Sequence, residues 1–171
     1  MKALKSRYVL MMAAVLVLVL PAYCAFAVEL FEPHVPDNME KTLTIIDKKG
    51  EKHSFNVELA ITGPQQEQGL MFVKEMPRDA GMLFVFRMVE PRTFWMKNTL
   101  IPLDMLFVEA DGRIQHIHSM AKPLDTSMIT SGKPCKAVLE INGGEADKLG
   151  IEEGDIIYHS AFRNLNLLPK D

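Results

Sequence analysis

The stretch GMLFVF at residues 81–86 is almost wholly apolar and decides the fold class. A short apolar run of this kind is typical of a strand that is buried on both faces. Around it lie alternating or β-branched segments separated by turn signals, and we expect each of them to form a strand. These segments are residues 42–46, 54–60, 93–97, 103–109, 113–120, 137–141 and 156–159.

Turn residues join two pairs of these strands. DKKG at 47–50 and ADG at 110–112 are typical turn sequences, so both pairs are predicted to be β-hairpins. Two short helices are predicted at residues 62–68 and 143–149, the second of which ends at a glycine. The pattern predicts a mainly β, β-rich α+β fold. We expect a compact single-domain sandwich or small barrel of short, mostly antiparallel strands with about two short helices.

Length and charge limit the classes of function. The chain has 171 residues, of which 48% are hydrophobic and 24% are charged, and its net charge is −3. This length fits one domain with appendages. The acidic balance and the lack of a dense Lys/Arg stripe argue against a nucleic-acid partner. We expect a monomer without a cofactor, whose partner is a small ligand or an envelope protein.

The first 27 residues have the parts of a secretory signal peptide. Basic residues precede an unbroken apolar run at 9–20, and Ala25 and Ala27 supply the small side chains of a cleavage site. We therefore predict cleavage after Ala27 and a periplasmic or secreted protein. The alternative is an inner-membrane anchor, because residues 8–28 carry no charge and are about long enough to span a bilayer.

Four segments follow from this interpretation. Residues 1–27 are the signal peptide, 28–40 are a linker rich in proline and acidic residues, 41–160 are one β-rich domain, and 161–171 are a frayed C-terminal tail. Cleavage leaves Cys135 as a lone cysteine, which cannot form an intrachain disulfide. We therefore expect apolar packing to hold the domain together.

The stretch FWMKNTLIPLD contains the densest group of candidate functional residues. Strand alternation places Trp95 and Lys97 together on the accessible face, and Asn98 and Asp104 bracket the connection that follows. An aromatic ring with an amine, an amide and a carboxylate nearby is a candidate ligand-binding group. In the alternative interpretation, Trp95 packs in the core, and Lys97 pairs with Asp104 or Glu140 to hold the loop.

Several blocks of the sequence resemble one family. They are GLM at 69–71, GMLF at 81–84, FWMKNT and PLD within 94–104, and LE followed by GG within 139–144. On these blocks the chain resembles the uncharacterised prokaryotic family catalogued as domain of unknown function 192, over about residues 41–159. The resemblance implies a compact β-rich fold, often behind a signal peptide or anchor, and it implies no activity.

The chain departs from the family pattern directly after the GLM block. An arginine is common there in the family, whereas Phe72, Val73 and Lys74 follow in this chain. If that arginine binds an anion, Lys74 is the corresponding candidate here. A lysine lacks the bidentate fork of a guanidinium, so it is an imperfect substitute.

Two histidines are candidate metal ligands. His116 and His118 lie two residues apart on a predicted strand, so they project from the same face and could bind a metal. Met105, Met120 and Met128 could add thioether ligands for copper. No third residue has the spacing of a known site, and an exposed strand edge is the alternative interpretation.

Catalytic residues are few in this sequence. There is no G-x-S-x-G motif. Cys135 lies between Lys133 and Lys136, which could lower its thiol pKa, although a small buried side chain is the plainer interpretation. Asp104 and Glu140 could form the acid/base pair of a glycan hydrolase.

Three hypotheses follow for the function. The first is a non-catalytic envelope module that binds a small ligand or a protein partner. It rests on the export signal, the residues around Trp95 and the missing catalytic set. The second is an envelope hydrolase that acts on glycan or peptide, and the third is a periplasmic metal-binding protein.

Overall fold

A computed structural model describes residues 39–170. The predictions for residues 1–38 and for Asp171 lie outside this part. The strands are β1 (Thr42–Ile46), β2 (Lys52–Ala60), β3 (Ala80–Glu90), β4 (Thr93–Phe94), β5 (Leu103–Val108), β6 (Ile114–Ala121), β7 (Ile129–Thr130), β8 (Cys135–Asn142) and β9 (Ile156–Tyr158). The helices are α1 (Gly63–Gln68) and α2 (Glu145–Leu149), with 3₁₀ turns at Ser160–Phe162 and Leu165–Leu167. Within residues 39–170, no helix has the length and apolar character needed to cross a membrane.

Seven of the strands form one sheet in the order β6-β5-β8-β3-β2-β1-β9. Neighbouring strands are antiparallel except for β2 and β3, which run parallel. Both predicted hairpins are present, as β1–β2 and β5–β6. A parallel pair needs a crossover connection, and the chain between β2 and β3 supplies it with α1.

The sheet curls until its two edges meet. Arg113, directly before β6, forms an isolated bridge with Ile156 of β9. Gly112 has a φ of +96°, and an added Cβ there would lie 2.3 Å from the carbonyl oxygen of Ile157, so the close approach requires glycine. Together with the small sheet β4–β7, this half-closed barrel confirms the predicted mainly β fold with two short helices.

The three central strands are buried on both faces, as the apolar run at 81–86 predicts. Residues paired across β3, β8 and β5 share a face, and the next residue along each strand lies on the other. We call these the first and the second face of the sheet. The first carries the paired residues Leu83, Leu139 and Leu106, and the second carries Phe84, Val138 and Phe107.

Helix α1 and the segment around β4 cover the second face. The side-chain amide of Gln66 donates to the carbonyls of Ala60 (3.2 Å) and Val85 (3.1 Å), which ties α1 to β2 and β3. Thr62 caps the helix with a reciprocal capping box that involves the side chain of Gln65. The apolar residues that complete this cover are Leu70, Met96 and Ile101.

The strand predicted at 93–97 is shorter than expected. It ends at Phe94, and the amide of Met96 donates instead to the carbonyl of Asp125 at 2.8 Å. Asn98 then turns the chain with a φ of +59°. The pairing partner β7 has two residues, so the ladder stops after two pairs.

The predicted frayed tail is wrong at its beginning. Asn164 is buried, and its amide donates to the carbonyls of Asp111 (2.9 Å) and Ile157 (2.8 Å). Its side-chain oxygen accepts from the amide of His159 at 3.1 Å. These bonds fasten the chain after β9 to the barrel.

Asp104 is a fully buried carboxylate that joins three segments. Its Oδ1 accepts from the amides of Met120 (2.8 Å) and Gly144 (2.9 Å), and its Oδ2 accepts from the amide of Ala146 (3.0 Å). The last two amides lie at the beginning of α2, where backbone N–H groups have no partner inside the helix. Asp104 thus holds β5, the end of β6 and α2 together.

We expect Asp104→Asn to lower the free energy of unfolding by about 2–4 kcal/mol, because it removes the charge and turns an NH₂ group toward backbone donors. Urea denaturation measures the loss. The matched control is Asp147→Asn at an exposed position of α2, which should change stability by less than about 0.5 kcal/mol. Equal effects of the two substitutions would contradict a structural role for Asp104.

Candidate functional site

A cleft of about 650 Å³ opens on the second face, beside α1. This volume is in the range of sites for small organic molecules. Its lining includes the aromatic residues Phe84 and Phe86 of β3, Phe94 of β4 and the following Trp95, and β8 contributes Glu140. The cleft therefore combines aromatic walls with a carboxyl group from the sheet.

Phe94 is the centre of the aromatic wall. Its ring meets Phe84 edge-on, with centroids 5.2 Å apart and an interplanar angle of 88°. It also contacts Phe86 at 6.4 Å and Phe107 at 6.1 Å in similar edge-on geometry. Such contacts hold the rings in fixed orientations, so the wall is formed without a ligand.

Glu140 is the buried titratable group of the cleft. It lies on the second face between Met82 of β3 and Met105 of β5, and it is 4% exposed. Within residues 39–170 its carboxyl group has no hydrogen-bond or ion-pair partner. Burial raises the pKa of Glu140 to about 8. The carboxyl is therefore mostly protonated at neutral pH, because the low-dielectric surroundings disfavour its charged form.

Two cations line other parts of the cleft. The guanidinium of Arg92 lies 4.0 Å from the ring centroid of Phe86 and forms an ion pair with Glu90 at 2.8 Å. Its Nε is buried and lacks a partner in the described part of the chain. The Nζ of Lys97 lies 5.1 Å from the ring of Trp95. The rings of Phe86 and Trp95 are therefore each in contact with a positively charged side chain.

Three of the predicted site residues meet in this cleft: Trp95, Lys97 and Glu140. Trp95 is 43% exposed, whereas Met96 is fully buried. The predicted alternation of side chains is therefore present although the strand ends earlier. Lys97 forms no ion pair with Asp104 or Glu140, so the structure does not contain the loop-holding pair of the alternative interpretation.

The other predicted ligand-binding residues lie elsewhere. Asp104 pairs with Ile141 in the β5–β8 register, which places it on the first face, opposite Glu140. The two carboxylates therefore do not form the predicted acid/base pair. The side-chain amide of Asn98 contacts the sulfur of Met71 at 3.7 Å, and Lys74 is exposed outside the cleft lining.

The two histidines share one face of β6, as predicted, next to Phe107 and Met105 of β5. His116 stacks on Phe107 at 5.8 Å, and its Nδ1 lies 2.9 Å from a carboxylate oxygen of Glu153. Within residues 39–170, no group of three His, Cys, Asp or Glu side chains with converging ligand atoms includes this pair. The one three-residue group of possible ligands in that range lies elsewhere and comprises Asp47, Glu51 and His53.

Cys135 is a buried residue of β8 rather than an activated thiol. Burial raises its pKa, which contradicts the suggestion that neighbouring lysines lower it. The ammonium group of Lys136 donates to the carbonyl of Phe86 at 2.7 Å instead. The small buried side chain is the correct interpretation.

Several residues of the cleft carry only weak sequence signals. Phe84 and Thr99 fall inside the GMLF and FWMKNT blocks, but the resemblance of these blocks to the family indicates no role for either residue. Arg92 stands outside every block. It reaches the cleft because β3 turns directly into β4, which the sequence does not show.

Comparisons with known proteins agree with this fold. The family profile of domain of unknown function 192, described as an uncharacterized ACR, matches residues 44–159. A protein from Sinorhizobium meliloti 1021, described as a candidate transcription regulator, is 41% identical over 75% of this chain and 98% of its own, with a TM-score of 0.70. A protein of unknown function from Novosphingobium aromaticivorans DSM 12444 is 40% identical over 74% of this chain and 92% of its own, with a TM-score of 0.67. No curated protein matches the chain.

Stability should fall with rising pH because of Glu140. Its pKa is about 8 in the fold against an ordinary 4.5, so the folded state binds the proton more tightly. Burial of the carboxyl therefore costs little below pH 4.5, and the cost grows until the pH passes 8. The full loss is roughly 5 kcal/mol.

The Glu140→Gln variant has no carboxyl group to ionise, so its stability should not fall with rising pH in this way. We expect the variant to be more stable than the native protein at about pH 9 and similar to it at about pH 5. Urea denaturation at several pH values checks the difference, and carboxyl-carbon NMR gives the pKa of Glu140 directly. Parallel stability curves for the two proteins would contradict the burial of an unpaired carboxyl.

Proposed function

Because the chain belongs to the family domain of unknown function 192, which has no activity to transfer, we propose a function from the cleft itself. The protein is an exported, non-catalytic module that binds a small organic ligand. One observation supports this most: an unpartnered carboxyl, Glu140, lines an aromatic cleft of about 650 Å³. The Glu140 oxygens are not among the fully buried side-chain atoms that lack a partner, so they open on the cleft, where a ligand could bind them.

The energetics favour a site rather than a packing defect. An unpaired buried carboxyl lowers stability, and an apolar residue between Met82 and Met105 would fit the second face better. Residues that reduce stability in this way are typical of functional sites. The exposed ring of Trp95 adds an aromatic surface at the same cleft, which a ligand could contact beside Lys97.

The cleft supports binding better than hydrolysis. A glycosidase needs two carboxyl groups across one bond, and the predicted partner of Glu140 lies on the other face of the sheet. Cys135 is buried within β8 and its thiol pKa is raised, so it does not replace the missing nucleophile. We therefore propose recognition of a ligand without chemistry.

The location is proposed from residues 1–27. Their basic, apolar and small-residue segments follow the order of a signal peptide, which would deliver the domain to the periplasm. A net charge of −3 and the lack of a dense basic stripe in the sequence disfavour contact with nucleic-acid phosphates.

Ligand binding is tested with the purified mature domain and a library of amino acids, amines, carboxylic acids, sugars and nucleosides. Because Trp95 is the single tryptophan, its fluorescence reports directly on the cleft. We expect at least one compound class to bind with a Kd below about 1 mM. Ligand-observed NMR should show weaker binding by Trp95→Ala and Lys97→Ala, each with a nearly unchanged melting temperature.

The control is Leu167→Ala, which removes an exposed apolar side chain outside the cleft lining. It should leave binding unchanged. A library without any binder, or binding that is equal in all variants, would contradict the proposal. A large loss of melting temperature in Trp95→Ala would show that this residue serves packing.

Export is tested by expressing the full chain in a Gram-negative host. We expect a mature protein that begins at Val28 in the periplasmic fraction, as read by N-terminal sequencing. Val15→Arg interrupts the apolar run and should leave the precursor unprocessed, whereas Val15→Leu should not. A full-length native protein in the membrane fraction would instead identify residues 8–28 as an anchor.

A further inference from the structure

We propose that the cleft receives a small organic amine as its ammonium cation, with the charged nitrogen at Glu140 and Thr99 and the carbon frame against the phenylalanine rings. This inference rests on the proposed function and names the chemical class of its ligand. Three features of the cleft lead to it: two side chains without hydrogen-bond partners, the aromatic wall and the distribution of charge.

Two polar side chains in the cleft lack partners. Glu140 is 4% exposed and Thr99 is 5% exposed, and both line the cleft. No side-chain hydrogen bond of either group is formed with residues 39–170. An ammonium group carries three donors, which suit a carboxylate and a hydroxyl oxygen together. A carboxylate ligand could not offer donors to these acceptors.

The aromatic wall suits a cation. Ring faces carry partial negative charge and attract ammonium groups, most strongly where water is excluded. The fold already uses this attraction, since the guanidinium of Arg92 lies 4.0 Å from the centroid of Phe86. Phe84 and Phe94 form the wall next to it in fixed edge-on contact. The hydrocarbon part of an amine would pack on the same rings.

The charges around Glu140 leave it without a counter-ion. Its neighbours on β3 and β5 are Met82 and Met105, which are uncharged. The other titratable groups in the cleft lining are Glu67 of α1, Arg92 before β4 and Lys97 after it. Burial alone accounts for the raised pKa of Glu140, so neither cation offsets its charge. An incoming ammonium would supply the missing charge.

Proton release is a specific consequence of this arrangement. The carboxyl must ionise to pair with an ammonium group, so binding lowers its pKa and releases a proton at neutral pH. The affinity for an amine should therefore rise by about tenfold per pH unit below the free pKa and level off above it. A ligand that accepts a hydrogen bond from the protonated carboxyl would show the opposite trend.

The experiment compares three probes of similar shape by calorimetry: phenethylamine, 2-phenylethanol and 3-phenylpropanoate. We expect the amine to bind the mature domain at least about tenfold more tightly than the alcohol and the carboxylate. Titrations in buffers with different ionisation enthalpies should show release of about one proton at about pH 7. Glu140→Gln should abolish the preference for the amine together with the proton release, and Thr99→Val should weaken amine binding.

The matched control is Glu67→Gln, which removes an exposed carboxylate at the same cleft. It should change the affinity for the amine by less than about threefold. Equal binding of the three probes, with no effect of Glu140→Gln, would overturn the amine inference and leave ligand binding intact. Lack of amine binding while the compound library yields another ligand would also overturn it. Failure of both experiments would refute the proposed function as well.

Discussion

The pairing of β3, β8 and β5 is the constraint on which the rest of the structure depends. All three strands are buried along most of their length, so each has to fill two apolar faces at once. The first face packs inside the curled sheet, where the paired row Leu83, Leu139 and Leu106 is fully buried. The second face needs a cover from outside the sheet, because exposed apolar area of that size would be unfavourable.

The cover of the second face is incomplete, and its gap is the cleft. Helix α1 has six residues and is fastened by the amide of Gln66, while β4 and β7 pair over two residues each. These short elements cannot extend over the whole row of aromatic side chains. A pocket therefore remains between them, with Phe84, Phe94 and Trp95 in its lining. The segments that cover the second face therefore also form the walls of the cleft.

Two buried carboxylates show how structure separates support from function. Asp104 accepts three backbone hydrogen bonds, so its charge is satisfied and it stabilises the junction of β5, β6 and α2. Glu140 lies on the neighbouring strand β8, and no hydrogen bond or ion pair within residues 39–170 satisfies its carboxyl group. In the sequence, both are acidic residues within apolar strands, and nothing local distinguishes them. Their opposite faces and their different partners follow from register and loop placement alone.

Much of the fold follows from local pattern. Alternation and turn residues predicted the two hairpins, and the run at 81–86 predicted a strand with two buried faces, because these signals act over a few residues. The parallel pairing of β2 with β3 and the meeting of the sheet edges at Arg113 involve distant segments. Local pattern carries no information on such contacts.

For the candidate site, too, local sequence determined one part and tertiary contacts determined the other. The sequence by itself determined the mainly β class and pointed to Trp95, Lys97 and Glu140, since a lone tryptophan and charges inside apolar segments stand out from their neighbours. Only the tertiary structure decided that these residues share a cleft with Arg92 and Thr99 and that Asp104 does not. The physical reason is that the cleft is built where β3, β8 and the chain around β4 come together. The distance between segments so far apart along the chain is set by strand order and register.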